Sequence, residues 1–242
     1  MTMIAKIITL NPIQNEDIAL KFSSLLTKAG LTPEKIGTVE PLTKNYSQHD
    51  FLKMWTEEDE TYENVEIDHM VGTAGGILGK VNDPHFLFIV DWMKSSKNIN
   101  LNYVTFFFPV ETFLQYREVI MTVFKDTILL VDGIYGYISH EVPAERQHIP
   151  GTLETRLPGV FWCNYYGEHY VDYFSEDKVI TFPWNETEKL ENGGLVTYLT
   201  NLPNHELLHS EDLEVLAKQH LGAASLTEVL KSKNSSYMTL KQ

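Results

Sequence analysis

The segment His205-Glu206-Leu207-Leu208-His209 has residue types and a spacing that could support catalysis. On a helix, the two histidines would lie one turn apart and could bind one zinc ion. Glu206 could then activate a metal-bound water, and Glu228 lies downstream at a spacing found for a third ligand in some zinc peptidases. The pattern predicts a zinc-dependent metallohydrolase with His205, His209 and Glu228 as metal ligands.

The residues around this motif argue against a zinc enzyme. Pro203 and Asn204 place His205 at or before a helix N-terminus, and Ser210-Glu211-Asp212 is typical of the start of a new helix. A five-residue pattern with two free positions also recurs by chance. The metallohydrolase is therefore kept as an alternative, and the leading expectation is a chain without catalytic residues, metal or cofactor.

The elements that would position any site are strands more often than helices. His85–Met93 and Ile99–Phe108 read as consecutive strands of a hairpin, whereas Glu16–Lys28 has helical spacing and an Asn15 cap. Sequential strands of this kind predict an α+β fold, with a largely antiparallel sheet and helices packed on it. The glycine-rich stretch 72–79 is interpreted as a turn or mobile loop.

The chain length is compatible with one large domain or two small ones. We expect a single domain over residues 1–242. Two similar halves, with a boundary in the polar stretch 141–157, are the alternative.

Cys163 is the single cysteine, so an internal disulfide is excluded, and its apolar surroundings predict a buried thiol. Trp162, Tyr165 and Trp184 are assigned to the core.

The net charge of the chain limits the classes of partner that it is expected to bind. The chain has 33 acidic and 19 basic residues and a formal net charge of −14. This argues against nucleic acid as a direct ligand and favours a basic protein partner, with solubility alone as the other reading. No stretch has the roughly 20 apolar residues that a membrane span requires, and the N-terminus reads as a strand. We therefore expect no membrane association and a cytoplasmic location.

The acidic stretch 50–68 is the candidate contact surface. Its excess of carboxylates would attract a basic partner, and its aromatic residues would anchor the contact. The alternative is a solvated helix face. The predicted partner-binding residues are Trp55, Glu57, Glu58, Asp59, Glu60, Tyr62 and Glu63.

An aromatic block between Pro158 and Trp184 carries a family resemblance. Two runs resemble the second half of bacterial immunity proteins that are paired with polymorphic and type VI secreted toxins (the immunity-protein-52-like and type VI immunity-like groups). The runs are Pro158-Gly159-Val160-Phe161-Trp162-Cys163-Asn164-Tyr165-Tyr166-Gly167 and Glu191-Asn192-Gly193-Gly194-Leu195-Val196. The strands Phe86–Trp92 and Phe106-Phe107-Phe108-Pro109 fit the same pattern, so the resemblance covers about residues 80 to 205.

This resemblance implies a protein that binds and neutralises a cognate secreted toxin by steric and electrostatic blocking. It implies no catalytic residue and no cofactor. If the toxin is a nuclease, its cleft must be basic, and the acidic charge of this chain becomes functional. A structural or adaptor domain without a toxin partner remains a third alternative.

Overall fold

The computed structural model describes residues 1–58, 60–64, 70–95, 100–147, 159–203, 209–222 and 229. Within these ranges the chain is an α+β protein in which the paired strands run antiparallel, which confirms the predicted fold class. Its contacts divide it into two compact units, Thr2–Gly133 and Ile134–Gln242, with Met1 grouped with the second unit. No helix in the described ranges is long and apolar enough to cross a bilayer.

In its described residues, the first unit contains a sheet and three helices. Its strands are β1 (Thr2–Thr9), β2 (Lys35–Gly37), β3 (Lys44–Asn45), β4 (Glu60–Asn64), β5 (Met70–Val81), β6 (Phe86–Ser95) and β7 (Asn102–Pro109). Its helices are α1 (Glu16–Lys28), α2 (Gln48–Thr56) and α3 (Val110–Val131). The strand order is β1-β7-β6-β5-β2-β3, and β4 also pairs with β5. The predicted hairpin of β6 and β7 and the predicted helix α1 are confirmed.

The three helices pack on one face of this sheet through aromatic side chains. Phe22 of α1 contacts Phe88 and Phe106, with ring centroids 5.5 and 6.1 Å apart. Phe113 of α3 stacks on Phe108 at 5.6 Å. Because side chains alternate along a strand, the odd-numbered residues of β6 and β7 lie on the opposite face of the sheet.

The prediction of a turn at residues 72–79 was wrong, because these glycines lie within β5. Gly75 is paired with Trp92, and Gly79 with Phe88. A Cβ atom on either glycine would lie 2.2 Å from the ring of its partner. The glycines therefore leave room for two large aromatic side chains that cross from β6 over β5, a packing role that glycine often has inside a strand.

The described part of the second unit contains four strands in the order β10-β11-β9-β8. These strands are β8 (Tyr135–His140), β9 (Cys163–Tyr166), β10 (Glu186–Lys189) and β11 (Leu195–Tyr198). Its helices are α4 (Glu141–Gln147), α5 (Glu168–Phe174), α6 (Glu176–Thr181) and α7 (His209–Leu221). Ser175 caps α6 by accepting a hydrogen bond from the Lys178 N–H.

The aromatic block forms the core of the second unit. Trp162 and Tyr165 are buried, as predicted, whereas Trp184 is only half-buried. Cys163 is a buried thiol, which confirms that prediction. Burial raises the pKa of the Tyr170 hydroxyl, as expected for a phenol surrounded by apolar side chains.

Candidate functional site

The acidic segment, defined here as residues 57–68, concentrates the negative charge of the first unit. It contains seven carboxylates and no basic residue, whereas the rest of Thr2–Gly133 contains 11 acidic and 11 basic residues. Glu57 and Glu58 follow the end of α2 and are exposed. The acidic segment therefore accounts for the whole net charge of its unit.

The first half of β5 holds part of this segment in place. β4 pairs with it antiparallel, with Glu60 opposite Ala74 and Glu63 opposite Val71. Apart from the β4–β5 ladder, no pairing of β4 occurs in the described part of the chain. Acidic residues on such an edge discourage pairing with a further strand, so the segment is suited to contacts made by side chains.

The predicted partner-binding residues do not share one environment in the structure. Trp55 is wrong as a contact anchor, because it is fully buried in the helix-covered face of the sheet. Its indole N–H donates to the Ile13 carbonyl oxygen at 2.7 Å, and its ring packs against Phe22 at 5.3 Å. Glu57 and Glu58 remain exposed candidates. Asp59 lies outside the described residues, and Glu60, Tyr62 and Glu63 are placed in β4 by their backbone alone.

A concave surface lies beside the start of β4, and we name it the sheet groove. It encloses about 510 Å³ and belongs entirely to the first unit. Its lining residues include Val39, Ala74, Leu78, Asp91, Met93 and Tyr103. Ala74 is also the partner of Glu60, so the backbone of β4 begins beside the sheet groove.

Gly76 determines the shape of the floor of the sheet groove. A Cβ atom at this position would lie 2.0 Å from the Val90 carbonyl oxygen, a contact that no side chain can make. Ala74 and Gly76 therefore leave a shallow floor, with Leu78, Met93 and Tyr103 contributing larger side chains around it. Val39 is 73% exposed at the rim.

Asp91 introduces a carboxylate into this largely apolar surface. It lies in the middle of β6, opposite Tyr103 of β7 and Gly76 of β5. Desolvation raises the pKa of Asp91, and the positive charge of Lys6 opposes that shift. Burial lowers the pKa of Lys6, whose Nζ lies 4.5 Å from the centre of the Tyr103 ring. Asp91 is nonetheless exposed, so water reaches its carboxylate.

A second concave surface lies between α1 and α3 and encloses about 570 Å³. Lys21 and Lys28 line it from α1, and Glu118 and Asp126 line it from α3. Lys21 already forms an ion pair with Asp17 at 2.6 Å. Because its charges balance, this surface does not distinguish basic from acidic partners.

The alternative zinc site falls largely outside the described residues. His205, Glu206 and Glu228 lie there, and His209 is the first residue of α7. In the parts of the chain that the structure describes, no group of three His, Cys, Asp or Glu side chains is arranged to hold a metal ion.

Sequence reasoning identified the acidic segment but missed the sheet groove. The groove depends on side chains from β5, β6 and β7 that come together only once the register of the sheet is known. The available signal was the alternation in Phe88-Ile89-Val90-Asp91-Trp92, which places a charged residue on the face opposite three large apolar ones.

Comparison with known proteins gives a likeness of fold. No family model and no curated protein matches the sequence. A solved structure from Pseudomonas aeruginosa, described as T6SS (type VI secretion system) protein PA0821, is similar with a TM-score of 0.60 and 13% sequence identity. The match covers 90% of this chain and 72% of that chain. At this identity, the similarity shows a shared fold.

Proposed function

We propose that this chain is an immunity protein that binds a cognate secreted bacterial toxin and neutralises it by steric and electrostatic blocking. The observation that carries the proposal is the similarity in fold, over nine-tenths of the chain, to a protein of a type VI secretion system. The aromatic runs that resemble type VI immunity proteins support it independently.

The distribution of charge supports an electrostatic mode of inhibition. The seven carboxylates of the acidic segment lie within 12 consecutive residues, and Glu60 and Glu63 belong to β4. Such a concentration of one sign of charge attracts a basic surface and accelerates its association. Once bound to a basic cleft, the folded unit behind the segment would exclude the substrate of the toxin by its bulk. The proposed place of action is the cytoplasm of the toxin-producing cell.

The proposal predicts that a toxin is encoded beside this gene, and co-expression with that toxin tests it. The chain should restore growth of a bacterium that produces the toxin, and the two proteins should co-purify. Wild-type chain and a variant truncated after Gly133 should be compared at equal abundance, to establish whether the second unit is required. Growth arrest in the presence of abundant, folded wild-type chain, without co-purification, would contradict the proposal.

A further inference from the structure

The concave surface between α1 and α3, which we name the helix groove, has two walls of opposite charge. Lys21 and Lys28 line it from α1, whereas Glu118 and Asp126 line it from α3. All four residues are exposed, and no ion pair joins these lysines to these carboxylates. Lys21 pairs only with Asp17 of its own helix, an exposed contact that contributes little to stability. The charges of both walls can therefore contact a partner that lies against the groove.

The helix groove also has apolar surface between its charged walls. Leu25 and Val119 are half-buried in it, and Val123 is buried. On the same two helices, Leu20 is 44% exposed and Leu114 is 50% exposed. A helix that covers a sheet usually presents a polar outer face. The mixed face of α1 and α3 is instead typical of a surface that contacts another protein.

A second copy of the chain has the surface that matches these walls. A two-fold rotation about an axis parallel to the groove places α1 of one copy opposite α3 of the other. Each lysine wall then faces a carboxylate wall, and the same contact is made twice. A two-fold axis across the groove would instead place lysines against lysines, so the charges select one arrangement.

We propose that the chain forms a symmetric dimer through the helix groove, with its two-fold axis along the groove. A partner of one charge would be repelled by one of the two walls, so the groove favours a partner that carries both signs in two rows. This chain has that arrangement. The rest of Thr2–Gly133, outside residues 57–68, has equal numbers of acidic and basic residues and does not oppose the contact. The inference does not rest on the proposed function.

The size of the helix groove predicts a weak dimer. The 13 residues of α1 span about 20 Å at a rise of about 1.5 Å per residue. Two helices packed side by side present a face roughly 20 Å wide, so the contact covers about 400 Å² of each copy. This area is about half of that in a standard interface and is typical of transient association. The dimer should therefore dissociate at the low concentrations used in most binding assays.

Reversing the charge of one wall at a time tests this arrangement. Lys21→Glu/Lys28→Glu makes both walls acidic, and Glu118→Lys/Asp126→Lys makes both walls basic. Sedimentation velocity of the full chain, at up to about 1 mM, should show a concentration-dependent dimer for wild type. Each variant alone should associate at least tenfold more weakly, whereas an equimolar mixture of the two variants should recover an affinity within about threefold of wild type.

Two further variants separate charge pairing from other effects. Lys53→Glu/Lys94→Glu makes the same change in net charge as the first variant, on exposed residues outside the groove, and should stay within about twofold of wild type. A fourfold variant that combines both reversals exchanges the signs of the two walls. It should recover the wild-type affinity, which a variant that merely fails to fold cannot do.

The outcomes decide between the second copy and other occupants of the groove. Wild-type chain that stays monomeric at about 1 mM would overturn the inference. A dimer of equal affinity in wild type and in both single-wall variants, or a mixture that stays monomeric, would also overturn it. Monomeric wild type, together with loss of toxin binding in both single-wall variants, would assign the groove to the toxin instead of a second copy.

Discussion

Reversing two charges in the acidic segment tests whether it steers the toxin. The variant Glu57→Lys/Glu58→Lys changes the charge of residues 57–68 from −7 to −3. Both residues are exposed and follow the end of α2, so the fold should be unaffected. We expect slower association with little change in dissociation, because exposed charges act mainly on the encounter between partners.

The size of the effect follows from the fraction of charge that remains. Electrostatic steering raises association rates by about 10- to 1000-fold, and its logarithm scales with the interaction energy. If three-sevenths of the segment charge remain, an enhancement of about 100-fold falls to about sevenfold. The association rate should therefore drop roughly tenfold at low salt, and its dependence on ionic strength should become flatter.

Surface plasmon resonance at several salt concentrations measures both effects. The matched control is Glu111→Lys/Glu118→Lys, which makes the same change in net charge on exposed residues of α3. The control should stay within about twofold of wild type, since its charges lie outside the proposed surface. Equal slowing in both variants would show that total charge matters rather than this segment. No slowing in either would refute the steering argument.

Three further predictions concern stability. Trp55→Phe should lower the free energy of unfolding by about 2 kcal/mol, measured by urea denaturation, because the Ile13 carbonyl oxygen loses its donor in the core; an unchanged midpoint would contradict the buried position. Gly79→Ala should cost about 1–3 kcal/mol, and Phe88→Leu in the same chain should recover part of that loss; purely additive costs would contradict the packing of the ring on Gly79. Because the pKa of Asp91 is raised in the fold, its ionisation opposes folding at neutral pH. Since the side chain is exposed, Asp91→Asn should raise the Tm at pH 7 only slightly, and the difference should vanish below the unfolded pKa of about 3.9; a lower Tm at pH 7 would contradict the raised pKa of this carboxylate.

Local signals in the sequence were sufficient for several elements. The helix Glu16–Lys28 begins at Asn15, whose side chain accepts a hydrogen bond from the Ile18 N–H, and both the cap and the apolar spacing are visible in the sequence. The β6–β7 hairpin is likewise predictable, because two apolar runs are separated by a short polar segment. Such features depend on neighbours along the chain.

Features that depend on neighbours in space were not predictable in the same way. The glycines of β5 are typical of a turn by composition, and only the rings of Trp92 and Phe88 explain them. Trp55 lies beside the exposed Glu57 in sequence, yet its position on α2 directs it into the core. Glu57 and Glu58 are exposed, as a contact surface requires, whereas Trp55 is buried and cannot anchor a contact, because burial is decided by packing.

The central claim is that the chain inhibits a toxin by binding to it and blocking access of its substrate. A titration of the purified toxin, in an assay of its own activity, with purified chain tests this claim most directly. The account predicts that inhibition is complete at a fixed stoichiometric ratio and that the Glu57→Lys/Glu58→Lys variant reaches the same endpoint more slowly. Full toxin activity in the presence of an excess of folded chain would contradict it.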